Sequence, residues 1–252
     1  MTVPLLVPPC IDNYDETAAA AAVATTTVAA SVVKPTAVAN STTTTIALGT
    51  PWPESRPMWV FGYGSIIYRV DFPIEDQVFG FIRGRKRAFL QESHDHRGTE
   101  ENPGRVCTLI PALEWNTIFT DDPTDPDVVC WGMAYRVKAG MEQQVKAHLD
   151  YREKDGYSID FVDLYAEHGQ PPVLTSVMVY VGVSSNPSFA GASSIEDTAK
   201  IIAMAKGPSG TNREYLYKLC ASLRAQRPDA LDPYLEKLEK MVRKLAGIEL
   251  LV

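Results

Sequence analysis

The chain has 252 residues, 45% hydrophobic and 22% charged, with 24 basic against 31 acidic side chains for a formal net charge of −7. That balance speaks against non-specific binding to nucleic acid or to an anionic membrane surface, and no stretch approaches the ~18 consecutive apolar residues of a membrane span. Four cysteines, Cys10, Cys107, Cys130 and Cys220, stand far apart with no C-x-x-C pair. This is the usage of free thiols in a reducing compartment, and the cytosol is the expected setting.

Residues 1–56 differ from all that follows. Alanine, threonine and valine dominate, as in Ala18–Ala22 and Thr42–Thr45, and such a segment cannot bury enough surface to offset its ordering entropy. The alanine run follows Asp12, Asp15 and Glu16 rather than basic residues, so neither a signal peptide nor a transit peptide fits. The expectation is a disordered tail over 1–56 and one folded domain over 57–252.

The domain opens on Met58-Trp59-Val60-Phe61, an apolar run that reads as a buried strand. It runs into Gly62-Tyr63-Gly64-Ser65-Ile66-Ile67. Two glycines here are expected to free the backbone, through positive φ, for a turn whose N–H groups could hold a carboxylate or a developing oxyanion. A plain bulge or tight bend reads equally well. Phosphate-loop readings fail, because Ile67 stands where G-x-G-x-x-G needs glycine and no G-K-[ST] occurs.

Further strands are expected at Val78–Ile82, Arg87–Gln91, Arg105–Ile110, Val128–Val137, Ser158–Ala166 and Val173–Val183. Between them His94-Asp95-His96-Arg97 invites a metal, but no further histidine or cysteine stands at ligand spacing, and a solvated loop is the plainer reading. Met141, Val145 and Leu149 recur at helical spacing through Met141–Tyr151. That helix ends in Asp150-Tyr151-Arg152-Glu153-Lys154-Asp155-Gly156-Tyr157, which reads either as a charged, solvated helix end or as a carboxylate held between two tyrosines. Three helices close the chain. Ser194 with Asp197 and Thr211 with Glu214 form capping boxes, Gly207-Pro208 is expected to stop the first of these helices, and Asp232-Pro233 starts the last helix, with Gly247 as its C-cap. Strands followed by helices argue for an α+β fold with a mostly antiparallel sheet or small barrel.

Six of these motifs, in one order, resemble the ChaC-like γ-glutamylcyclotransferases. They are Tyr63–Ile66, Asp95–Thr99, Pro103–Leu109, Trp131–Val137, Tyr151–Tyr157 and Gly207–Tyr215. The resemblance covers Met58 to about Leu223 and implies a small closed barrel of mixed and antiparallel strands with surrounding helices. It implies that the loop of Tyr63, Gly64, Ser65 and Ile66 holds a γ-glutamyl group, that Glu153 is the acid/base, and that no metal or cofactor takes part. The implied substrate is glutathione, released as 5-oxoproline and Cys-Gly. Other γ-glutamyl amino acids or amines as substrates, a non-catalytic γ-glutamyl-binding module and an interaction protein are the alternatives. Should Glu153 not serve, Glu214 is the next carboxylate to consider.

Overall fold

The structure is a computed structural model that describes residues 47–54, 56–152, 157–182, 184 and 186–247. Strands β1 (Trp59–Gly62), β2 (Ile74–Arg83), β5 (Val129–Val137), β6 (Tyr157–Leu164) and β7 (Leu174–Gly182) form one mixed sheet in the order β2-β5-β1-β7-β6. Among the described residues only the β1–β7 pair is parallel. Strands β3 (Arg85–Ser93) and β4 (Gly104–Pro111) make a separate hairpin. The helices are α1 (Ala112–Ile118), α2 (Glu142–Arg152), α3 (Ile195–Met204), α4 (Asn212–Gln226) and α5 (Pro233–Leu245), with a two-rung ribbon β8 (Lys206–Gly207) and β9 (Gly210–Thr211) between α3 and α4.

Alternation along each strand sorts the core into two layers. Val60, Met133, Tyr135, Met178 and Tyr180 point to one face and pack on Val145 and Leu149 of α2. Phe61, Ala134, Val177, Val179 and Val181 point to the other. There they meet Leu216, Leu219 and Leu223 of α4 and Leu235, Leu238 and Val242 of α5. These leucines and valines recur at i, i+3 and i+7, the apolar stripe of a helix lying on a sheet.

The α+β class holds. The sheet curls until its edges meet at one bridge, where the amide of Phe81 donates to the Tyr165 carbonyl at 2.8 Å and the return bond is 2.9 Å. Gly80 permits that approach, since a Cβ there would sit 2.5 Å from the Tyr165 carbonyl oxygen. Among the described residues no continuous ladder joins β2 to β6, so the sheet is described as mixed and curled.

Three local expectations need correction. Helix α1 was not anticipated, because seven residues are too few to display a 3.6 period. Helix α3 stops at Met204, and Gly207-Pro208 belongs to the β8–β9 ribbon rather than to the helix end. The boundary at 56 falls inside a packed segment. Trp52 is 2% exposed in the core layer under α2, its amide donates to Gln143 Oε1 at 3.1 Å and its carbonyl accepts from Gln143 Nε2. Residues 1–46 lie outside the described residues.

Candidate active site

A cleft of about 1080 Å³ opens between the turn after β1, the end of β3, the last turns of α2 and Tyr180 of β7. Tyr63, Gly64, Ser65 and Ile66 all line it. The main chain tightens there into a single 3-10 turn, Ser65–Ile67, with Gly64 before it. The amides of Ile67, Tyr68 and Arg69 fold back onto the carbonyls of Gly64 and Ser65. Those of Gly64, Ser65 and Ile66 donate to no acceptor among the described residues, as expected of the first amides of a turn.

The glycines serve proximity rather than handedness. Neither Gly62 nor Gly64 takes positive φ; Gly64 has φ −122°. A Cβ on Gly64 would lie 2.8 Å from the Tyr215 hydroxyl, and one on Gly62 would lie 3.0 Å from Ile66 Cγ2. Tyr63 is buried and donates to the Tyr180 carbonyl at 2.9 Å, while the Ile66 carbonyl accepts from the Tyr135 hydroxyl at 3.0 Å. Side chains from both core faces thus pin the turn.

Its link to α2 runs through Ser65. Arg152, the last residue of α2, donates from Nη2 to Ser65 Oγ at 2.9 Å and from Nη1 to Asp71 Oδ2 at 2.9 Å. His148 Nε2 lies 3.6 Å from the same carboxylate oxygen. Burial pushes the Asp71 carboxyl up, but His148 and Arg152 outweigh it and hold it below the usual carboxylate range. A second chain of contacts leads from Tyr63 to Tyr180, whose hydroxyl donates to Asp150 Oδ1 at 2.6 Å. Asp150 also pairs with the buried Lys146 at 2.6 Å and accepts from the Gly49 amide at 2.8 Å. For Asp150 and Arg152 the reading as a solvated helix end is therefore wrong, although Tyr151 is 56% exposed. Glu153, next in the chain, lies outside the described residues.

The facing wall is built from the end of β3 and the segment after it. His94 stands 3.3 Å from Glu92 and 3.4 Å from Glu100, and exposed His96 pairs with Asp95 at 2.6 Å. Arg97 is buried and donates to the Thr211 carbonyl at 3.2 Å. No group of three metal-ligating side chains occurs among the described residues. Asn212 ties the hairpin to α4, accepting from the Arg105 amide at 2.6 Å and donating to its carbonyl at 2.7 Å.

Two candidate reactive groups in or near the cleft are ruled out by their surroundings. Burial pushes the Cys107 thiol far above its ordinary range, so it is no thiolate nucleophile at neutral pH. Glu214 pairs with Lys218 at 2.7 Å, and its carboxyl is held down chiefly by that hydrogen bond, which makes it a poor reserve for a general base. Tyr68, by contrast, was not anticipated. Its hydroxyl is buried without a hydrogen-bond partner among the described residues. Burial pushes it up to about 12, against the pull of Arg97, so it stays a donor. Asp71 and His148 were likewise missed, because their partnership with Arg152 joins parts of the chain about eighty residues apart.

A turn of open amides beside a helix end, with no activated nucleophile among the described residues, suits reactions in which the substrate carries its own nucleophile. The mixed, curled sheet with helices on both of its faces makes this an α+β protein. A crystal structure of a γ-glutamylcyclotransferase specific to glutathione from yeast superposes with TM-score 0.64 and 35% identity, covering 76% of this chain and 100% of that one. The profile of ChaC-like proteins matches residues 58–245, and the chain belongs to that family. A Schizosaccharomyces pombe relative named glutathione-specific γ-glutamylcyclotransferase is 42% identical over 193 residues, 76% of this chain and 95% of the relative. A Saccharomyces cerevisiae relative of the same name is 34% identical over 230 residues, covering 76% and 98%.

Proposed function

We propose that this chain is a glutathione-specific γ-glutamylcyclotransferase, releasing 5-oxoproline and Cys-Gly. The observation that carries the reading is the 42% identity, over nearly the whole of the relative, to a protein named for that activity. The cleft supports it, because it offers amide donors on a pinned turn and leaves the nucleophile to the substrate.

The γ-glutamyl group lies on the Tyr63–Ile66 turn. Glu153 takes a proton from the α-ammonium, and the freed amine attacks the γ-carbonyl carbon of the same molecule. A C–N bond forms, the carbonyl electrons move onto oxygen, and the amides of the turn stabilise that oxyanion. Collapse breaks the bond to the cysteinyl nitrogen, which gains the proton held by Glu153, and the ring nitrogen, cationic after the attack, passes its second proton by way of Glu153 to the departing amine, so the lactam and the Cys-Gly ammonium form and no water is consumed. One carboxylate serves both transfers, and ring closure within one bound molecule supplies a large proximity effect. Glu153 directly follows Arg152 and precedes Tyr157 by four residues, and both of these line the cleft, which supports this role. The curled sheet, with its edges bridged at Phe81 and Tyr165, supports the closed-barrel description. Three buried free thiols among the described residues support a cytosolic setting.

Purified protein incubated with reduced glutathione is expected to release 5-oxoproline and Cys-Gly in equal amounts, with γ-Glu-Ala turned over far more slowly. N-acetylglutathione, which lacks the nucleophile, is expected to be inert. Release of Cys-Gly from the acetylated compound at a comparable rate would refute the mechanism, and preference for γ-Glu-Ala would shift the reading to a broader cyclotransferase.

A further inference from the structure

The charges of the cleft are almost all spoken for. Among its described carboxylates, Asp71 is held by Arg152 at 2.9 Å, Glu92 by Arg105 at 3.2 Å, Asp95 by His96 at 2.6 Å and Glu100 by His94 at 3.4 Å. Three arginines line the cleft among the described residues: Arg69, Arg97 and Arg152. Arg152 is bound to Asp71 and Ser65, and Arg97 to the Thr211 carbonyl, with Glu214 at 3.7 Å. Arg69 alone is exposed, and its guanidinium has no carboxylate or carbonyl partner among the described residues. Its backbone is nevertheless fixed, because its amide donates to the Ser65 carbonyl at 2.9 Å, one turn beyond the open amides.

An unpaired guanidinium at a cleft rim is a carboxylate receptor waiting for its anion. Glutathione carries two carboxylates, one on the γ-glutamyl carbon beside the reacting amine and one on glycine, about 10 Å away in an extended chain of this length. With the γ-glutamyl end on the amides of Gly64–Ile66, the glycine carboxylate would lie farther along the cleft that Arg69 also lines. We infer that Arg69 is a specificity-determining residue that binds the glycine carboxylate of the departing Cys-Gly half. This inference rests on the reading above. Peptides with a free carboxylate at that distance are then favoured over γ-glutamyl amines, which have none.

The test is a cycle of two proteins and two ligands: wild type and Arg69→Gln, with glutathione and its glycine monoethyl ester. Because Arg69 is exposed, melting temperature is expected to hold in the variant. R69Q is expected to raise KM for glutathione about three- to tenfold, with kcat changing less than twofold. The ester should lose a similar factor on wild type and nothing further on R69Q, and Arg69→Lys should recover part of the loss. An unchanged KM in R69Q, or an equal loss on acid and ester, overturns the inference. The same cycle is read as binding by calorimetry in an E153Q background, which separates the two claims. Arg69-dependent binding without turnover in wild type sinks the proposed activity and leaves the inference standing, whereas absence of glutathione binding sinks both.

Discussion

The two walls of the cleft hold their charges in opposite ways. On the turn-and-α2 wall, Arg69 apart, the charged groups sit in shared contacts that cross the fold. Arg152 spans Ser65 and Asp71, and Asp150 joins Lys146, Tyr180 and the Gly49 amide. Lys146 is only 2% exposed, so its pairing is obligatory rather than decorative. On the facing wall the Asp95–His96 pair has side chains 68% and 64% exposed, and Glu100 is 81% exposed. Exposed pairs of this kind contribute little to stability and rearrange readily. One wall is fixed by shared contacts with buried groups, whereas the other carries, beside its buried Arg97 and Arg105, exposed pairs that are free to rearrange.

This contrast can be broken in steps. Asp150→Ala, which strands the buried Lys146 ammonium, is expected to cost about 3–5 kcal/mol in denaturant unfolding; a loss below 1 kcal/mol would show the pair to be dispensable. Trimming the N-terminus sharpens the same point. Removing residues 1–46 is expected to leave melting temperature and turnover unchanged, whereas starting at residue 57 deletes the buried Trp52 and is expected to cost about 3 kcal/mol or more. Equal melting of the two truncated chains would contradict the packing described. Arg152→Met frees Ser65 and leaves Asp71 without its cation. A misplaced turn is expected to lower kcat/KM by about 10²-fold, with a melting shift of only a few degrees, and near-wild-type kinetics would count against the turn as the binding element. His96→Ala on the facing wall is expected to change stability by less than about 0.5 kcal/mol and turnover by less than threefold. A large effect there would erase the distinction between the walls.

What the sequence disclosed follows the same division. Strand alternation, helical stripes and the caps at Ser194, Thr211 and Asp232 are local, and the structure has them: Ser194 accepts from the Asp197 amide, Thr211 from Glu214 and Asp232 from Leu235. The motif around Tyr63 located the turn correctly. The wrong part was the reason for its glycines, since close approach by Tyr215 depends on a residue about 150 positions away. The charged end of α2 misled for a similar cause. Charge alternation over Asp150–Asp155 looks the same whether its partners are water or, as for Arg152, Ser65 and Asp71 from elsewhere in the fold. Arg69 and Tyr68 carried no pattern at all, and only the position of the 3-10 turn brings them to the cleft.

The most direct measurement compares wild type with Glu153→Gln, which keeps the shape of the side chain but removes its ability to take a proton. The quantities are kcat for 5-oxoproline release, glutathione binding and melting temperature. A kcat lowered by about 10²–10⁴-fold, with binding and melting changed far less, is the predicted result. An E153Q protein that keeps most of its kcat would contradict the account, because Glu153 would then be only a helix-end carboxylate.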